Sequence, residues 1–244
     1  MKRNSVLRYV IVFLFVFYHP VLAYSLSKTY AENMKQRQAF FFQAGFSYID
    51  PFLKSIKKFP IKNPFLGYHF NIQYLFSMTP CSFVSPVLGM GADYYQLTSR
   101  NVVSSNEYFY KLKAEYESYT FSPIVGINLK FGTIYSIFLL GHYSIYNHSK
   151  LNILGNVRYQ SNEASLLSKF SLAQQQIWGS ELINTINLNN NLAIGLGLKY
   201  QYHELNYSGT IFTLVNETNF KQDFDQTKVN FNEYSANLSF IFKI

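Results

Sequence analysis

Residues 191–203, NLAIGLGLKYQYH, carry Leu192, Ile194, Leu196, Leu198, Tyr200 and Tyr202 on one parity, with Ala193, Gly195, Gly197, Lys199, Gln201 and His203 on the other. Side chains of a strand point alternately to its two faces, so this pattern predicts a strand with one oily and one largely polar face. GYHFNIQYLFS repeats it, with Tyr68, Phe70, Ile72, Tyr74 and Phe76 set against His69, Asn71, Gln73 and Ser77. YTFSPIVGINLKF and YSANLSFIFKI do the same at 119–131 and 234–244. Eight such segments are expected, at about 38–49, 66–78, 83–98, 116–131, 134–147, 170–188, 191–205 and 233–244. In the sixth, Gln174 and Gln176 interrupt the apolar face.

The connections between these segments alternate in length. Short ones fall at Thr79-Pro80-Cys81, around Gly132 and at Asn189-Asn190-Asn191; the other four run to roughly a dozen residues or more, at or beyond the usual limit for compact domains. An antiparallel barrel of eight strands with both termini on one side needs three turns there and four connections opposite. The expected fold is therefore all-β: a closed eight-stranded antiparallel transmembrane barrel with three short periplasmic turns and four long extracellular loops. A strand in hydrocarbon must have every amide paired, which only closure provides.

Aromatic positions agree with this geometry, since a lipid-facing band is rimmed by aromatic girdles. Tyr48, Tyr68, Tyr94, Tyr119, Tyr143, Tyr202 and Tyr234 each fall at the long-loop end of a different segment, all on the oily parity. Phe40, Phe76, Phe131, Tyr135 and Phe242 are candidates for a second ring at the short-turn end. Phe and Tyr together number 45, well above what an ordinary core needs.

The N-terminus reads MKRNSVLRYVIVFLFVFYHPVLAYS, with Lys2, Arg3 and Arg8 before an apolar run from Tyr9 to Tyr18, then Pro20 and Val21-Leu22-Ala23. This is the layout of a cleaved secretory signal peptide over residues 1–23. Residues 24–37 are then a short periplasmic segment, and 38–244 the barrel. Cleavage removes three positive charges and no negative ones from a formal net charge of +8, leaving +5. An exported chain so mildly basic is not expected to bind nucleic acid. The single cysteine, Cys81, rules out an internal disulfide framework. No window after the leader reaches 18 uninterrupted apolar residues, so spanning helices are not expected.

In its leader, its loop rhythm and a last strand ending at the C-terminus, the chain resembles the OmpA/opacity type of eight-stranded outer-membrane protein over essentially the whole mature sequence. Such proteins usually finish on an aromatic residue read by the assembly machinery. Here SFIFKI ends on Ile244, with the last Phe at 242, and no sequence corresponds to the peptidoglycan-binding domain of full-length OmpA. The resemblance implies the outer membrane as location, and membrane lipid, lipopolysaccharide and the barrel-assembly machinery as partners of a monomer.

Eight strands enclose a lumen that side chains nearly fill. The inward parity holds Asp93, Lys130, Glu181, Lys199 and Lys243 with His69, His142 and His203. A hairpin centred on Asn190 puts Glu181 opposite Lys199, and an ion pair between them is expected because a lone buried charge is costly. His142-x-Ser144 resembles the His-x-Ser pair of lipid A deacylase barrels, yet both side chains have lumenal parity and no acidic residue follows nearby, so a structural lumenal histidine is the expectation. No other catalytic, cofactor or metal pattern stands out: there is no phosphate-binding glycine loop, zinc spacing or calcium loop. Asn147, Asn206 and Asn216 head sequons of no expected consequence. Lys54, Lys57, Lys58 and Lys62 make the first long loop basic, suited to anionic lipopolysaccharide or acidic host glycans. The expected role is thus a non-enzymatic surface antigen or adhesin acting through its loops, including toward host surface molecules, with a narrow solute channel and a lipid A deacylase as alternatives.

Overall fold

The computed structural model describes residues 37–50, 63–79, 82–104, 108–159, 162–215 and 218–244. The proposed leader and the segment up to residue 36 lie outside these, as do Lys54, Lys57, Lys58 and Lys62. Among the described residues there are nine strand segments: β1 (Gln38–Ile49), β2 (Phe65–Ser77), β3 (Val84–Ser104), β4 (Tyr108–Phe131), β5 (Tyr135–Tyr143), β6 (Tyr146–Tyr159), β7 (Asn162–Asn187), β8 (Leu192–Val215) and β9 (Thr218–Lys243). Every pairing is antiparallel. β1 pairs with β2 and β9, β2 with β3, β3 with β4, β7 with β8 and β8 with β9, while β5 and β6 in succession bridge β4 to β7. The pairings thus run round a ring of eight strands, one of them broken in two.

That break has a local cause. Between the pairs Ile124–His142 and Phe121–Tyr146, the β5–β6 chain places three residues opposite two, a one-residue bulge at Ser144–Ile145. Tyr143, Ile145 and Tyr146 are all large, apolar and outward. Strict alternation cannot put all three on one face, and slipping one residue does so. Beyond the slip the inward parity changes from His142 and Ser144 to Ser149, Leu151 and Ile153. A second bulge, where Gln174 and Gln175 stand opposite one residue of β8, accounts for the interrupted apolar pattern of the sixth predicted segment.

The expected long loops need correction at three of the four positions. β3 and β4 continue as one hairpin to Ser104 and Tyr108, β6 and β7 to Tyr159 and Asn162, and β8 and β9 to Val215 and Thr218. The predicted strands stopped where the outward face turns polar. Pairing does not stop there, because the inward face stays apolar: Leu97, Leu112, Ala114, Tyr116, Leu151, Ile153, Val229 and Phe231 form a buried cluster with Ile49, Phe65 and Tyr95. At the other end, Pro80 and Cys81 of the first expected short turn lie outside the described residues, and the other two turns are described. Asn189 Oδ1 accepts from the amides of Asn191 and Leu192 at 2.8 Å each, and Gly132 supplies the left-handed residue of its turn at φ 68°.

Candidate functional site

The interior is layered, and each layer is built from inward-facing residues of several strands. Nearest the short turns, Asn128, Lys130, Ser136, Asn187 and Lys243 line a mouth with Arg37. Above it, Phe41, Leu75, Val87, Ile124, Phe138, Leu140, Ile183, Ala193 and Ile241 close into an apolar layer, with Phe41 and Phe138 edge to face at 5.1 Å. A polar layer follows, then the upper apolar cluster. Lys130 and Lys243 therefore do not belong to one network with Asp93, Glu181 and Lys199, as parity alone suggested. An apolar storey separates them.

In the polar layer the hairpin register sets Glu181 opposite Lys199. The ion pair is nevertheless made elsewhere: Lys199 Nζ donates to Asp93 Oδ1 at 2.6 Å, from β8 to β3. Glu181 is served instead by Gln43 Nε2 at 2.8 Å and Gln73 Nε2 at 2.7 Å, with His142 Nε2 3.1 Å from its second oxygen. A four-carbon stem lets the lysine reach across the lumen to a carboxylate that the short Asp93 side chain cannot bring nearer. Asp93 is further held by His69 Nε2 at 2.9 Å, Asn71 Nδ2 at 2.5 Å and Thr120 Oγ1 at 3.3 Å.

A third couple lies one level up. His203 Nε2 is 2.9 Å from Glu233 Oε2, Ser235 Oγ donates to Glu233 Oε1 at 3.2 Å, and the His203 ring stacks on Phe231 at 4.4 Å. His69 stacks on Tyr95 at 4.5 Å, and Tyr95 donates to Gln201 Oε1 at 2.6 Å. Each of the three lumenal histidines thus faces one carboxylate. Glu233, Gln43 and Asn237 were missed as members, although their parity in predicted strands placed all three inward; what the sequence lacks is the cross-lumen partner. Several buried polar atoms in this layer, among them Gln43 Oε1, Gln73 Oε1, Asn71 Oδ1 and His142 Nδ1, have no protein partner. Among the described residues no group of three or more His, Cys, Asp or Glu is arranged to hold a metal ion.

His142 and Ser144 are both 5% exposed and face the lumen. The Ser144 hydroxyl donates to the Tyr146 carbonyl at 2.8 Å, across the bulge, and the imidazole faces Glu181. The hydroxyl thus serves the bent backbone.

On the outside, Tyr48, Tyr68, Tyr94, Tyr119, Tyr143, Tyr202 and Tyr234 all lie on the outer face, most of them exposed. Register aligns them: Tyr94 with Tyr119, Tyr48 with Tyr234 and Tyr200, and Tyr143 with Trp178 and Tyr202. Ring centroids are 4.7 Å apart for Tyr94–Tyr119 and 5.3 Å for Trp178–Tyr202. Trp178 fills the place in β7 where the predicted tyrosine girdle has no member. At the short-turn end, Phe40 meets Tyr74, Phe42 meets Phe242, and Phe131 meets Tyr135 and Phe83. Between the two rows lie exposed Phe70, Ile72, Leu88, Val125, Leu139, Leu198 and Leu238.

No protein-family model and no curated protein sequence matches the chain. Among solved structures it is similar to Ail, the attachment invasion locus protein of Yersinia pestis, at 11% identity over 86% of this chain and 100% of that one, with a TM-score of 0.37. It is also similar to the outer membrane protease OmpT from Escherichia coli, at 9% identity over 91% of this chain and 99% of that one, with a TM-score of 0.29. Both likenesses are remote, and the architecture stands on the pairing of the chain's own strands.

Proposed function

We propose that the chain is a bacterial outer-membrane barrel without enzymatic activity, working at the cell surface through its extracellular hairpins as an adhesin or surface antigen. The observation that carries this reading is an apolar exterior running right round the ring between two aromatic rows, over an interior that is filled. Soluble monomers rarely expose contiguous apolar patches beyond a few hundred Å². Tyr48 to Phe40, Tyr68 to Phe76 and Tyr234 to Phe242 are each eight residues, about 27 Å along a strand and about 20 Å along the axis of tilted strands, close to the apolar band of such barrels. Lipid acyl chains solvate that belt. The apolar layers above and below the buried ion pairs disfavour the alternative of a solute channel.

Beyond the upper tyrosines the outer face of β3, β4 and β6 turns basic. Register sets Arg100 beside Lys113 and Val102 beside Lys111, with Lys150 beside Glu117. Lys113 pairs with Glu115, while the Tyr94 and Tyr119 hydroxyls hold Glu117. Such a face suits anionic surface polysaccharide, lipopolysaccharide above all. Changing Arg100, Lys111, Lys113 and Lys150 to Gln should weaken, and flatten the salt dependence of, binding to lipopolysaccharide; unchanged binding would refute this partner. The location is tested by gel migration with and without boiling of protein extracted from isolated outer membranes. A heat-modifiable band is expected, whereas a freely water-soluble monomer would overturn the proposal.

A further inference from the structure

Beyond the upper tyrosine row the two sides of β9 differ. Toward β8 it is paired throughout, from Phe242 opposite Leu192 to Thr218 opposite Val215. Toward β1 the ladder stops at Glu233 opposite Ile49, followed by one bond from the Asp50 amide to the Asn232 carbonyl at 3.2 Å. From Asn230 to Thr218, β9 therefore pairs only with β8 among the described residues. That is an edge of about 40 Å, with half of its amides and carbonyls pointing away from β8. The other edge, Ser99 to Ser104 of β3, is shorter and is met by Asn63, whose Nδ2 donates to the Arg100 carbonyl at 2.6 Å.

The outer face of the β9 edge carries Lys221, Asp223, Lys228 and Asn230. The first three side chains are 60%, 66% and 57% exposed. A bulge lies between the two halves of this row, since Tyr207 and Gly209 oppose Thr227 and Phe224, leaving Asp225 and Gln226 against Ser208 alone. Outward residues accordingly have odd numbers at Lys221 and Asp223 and even numbers at Lys228 and Asn230. Lysines and bulges on an edge usually discourage a second strand. Here both become complementary when the second strand is the same one. Antiparallel pairing about a two-fold axis between Asp225 and Gln226 opposes residues 221–230 of two copies. The axis falls on the bulge, so outward residues meet outward residues despite the change of parity. Lys228 of each copy then stands opposite Asp223 of the other, and Lys221 opposite Asn230. Moving the axis one residue toward the hairpin tip would set Lys221 against Lys228, and like charges directly opposite are destabilising. Each charge also has a partner in its own copy, Lys221 for Asp223 and Glu204 for Lys228, so pairing joins ion pairs into a network.

We propose that this edge is a self-association surface, through which two copies join head to head by β9. Where the reading above holds, antiparallel pairing makes the chains point at each other, so they stand in facing outer membranes and the contact joins cell to cell. Their upper tyrosine rows then lie about 40 Å apart along the membrane normal. The full mature chain, refolded in non-ionic detergent and shown to be heat-modifiable, is followed by analytical ultracentrifugation over a range of concentrations. A reversible dimer is expected. Lys228→Glu and Asp223→Lys should each weaken it about tenfold, since every change acts twice across the axis. An equimolar mixture of the two variants should recover the wild-type affinity, because each position 228 again meets an opposite charge at position 223. Structural damage in either variant would not produce that recovery. A synthetic peptide of residues 218–231 should compete with the wild-type dimer, which decides the matter if a variant does not fold. A wild type that stays monomeric, with or without binding the peptide, overturns the proposal, as do variants that associate no better mixed than apart. Neither result bears on the membrane location, which rests on the apolar exterior.

Discussion

Lys199→Met removes the lysine from the middle polar layer and leaves Asp93 with a negative charge 4% exposed, inside a ring of strands. In the wild type that carboxylate receives Lys199 Nζ at 2.6 Å, beside His69, Asn71 and Thr120. The Asn71 and Thr120 donors that remain orient the oxygens without cancelling their charge, and Glu181 is a second carboxylate in the same layer. Breaking a buried pair by deleting one partner costs about 3–5 kcal/mol, mostly because the other charge stays behind. Removing both should therefore cost far less: Asp93→Asn with Lys199→Met is expected within about 1 kcal/mol of the wild type, since two neutral groups need no counter-ion. The assay is urea unfolding in lipid vesicles followed by the fluorescence of Trp178, the single tryptophan of the chain, which sits in the upper aromatic row. A loss under about 1 kcal/mol for Lys199→Met, or a double variant as unstable as the single, would refute the claim that this ion pair balances the layer.

Four further outcomes follow from the same geometry. Gly179→Ala should destabilise by about 2–3 kcal/mol in the same assay, because a Cβ there would stand 2.2 Å from the Tyr200 carbonyl oxygen; a neutral effect would contradict that close approach. Trp178 emission should be quenched more by lipids brominated near the headgroup than by lipids brominated at the chain end, and the reverse order would move the upper aromatic row off the interface. In a planar bilayer the protein should show no steady open-channel conductance, since Phe41, Leu75 and Ile183 close the lower storey; a stable pore would revive the channel reading. Ser144→Ala should cost about 1 kcal/mol through the lost bond to the Tyr146 carbonyl, and neither form should release fatty acid from lipid A.

Much of this is legible in the chain itself. Period-two alternation marks the strands of NLAIGLGLKYQYH and GYHFNIQYLFS because an apolar exterior on one side and a packed lumen on the other demand opposite chemistry at every step. The short turns could be read from Gly132 and the Asn189–Asn191 run, and counting back from Asn190 puts Glu181 opposite Lys199, as the register does. Parity was also enough to send His142 inward and Tyr143 outward. All of these are local: they depend on neighbours within a strand or across one tight turn.

What the chain alone left undecided depends on groups far apart in sequence. Lys199 chooses Asp93, 106 residues away, over the Glu181 that faces it, because the lumen brings β3 and β8 within reach of one side chain. Lys130 and Lys243 fall to the mouth because the layer directly above them is apolar across all eight strands. The hairpins outlast the oily exterior because a paired strand needs only one apolar face, and that face is inside. The slip at Ser144–Ile145 trades one residue of register for three outward apolar groups. Periodicity determines which way a side chain points; only closure of the ring determines what it meets, since the distance across a lumen is a property of the cylinder and not of any segment in its wall.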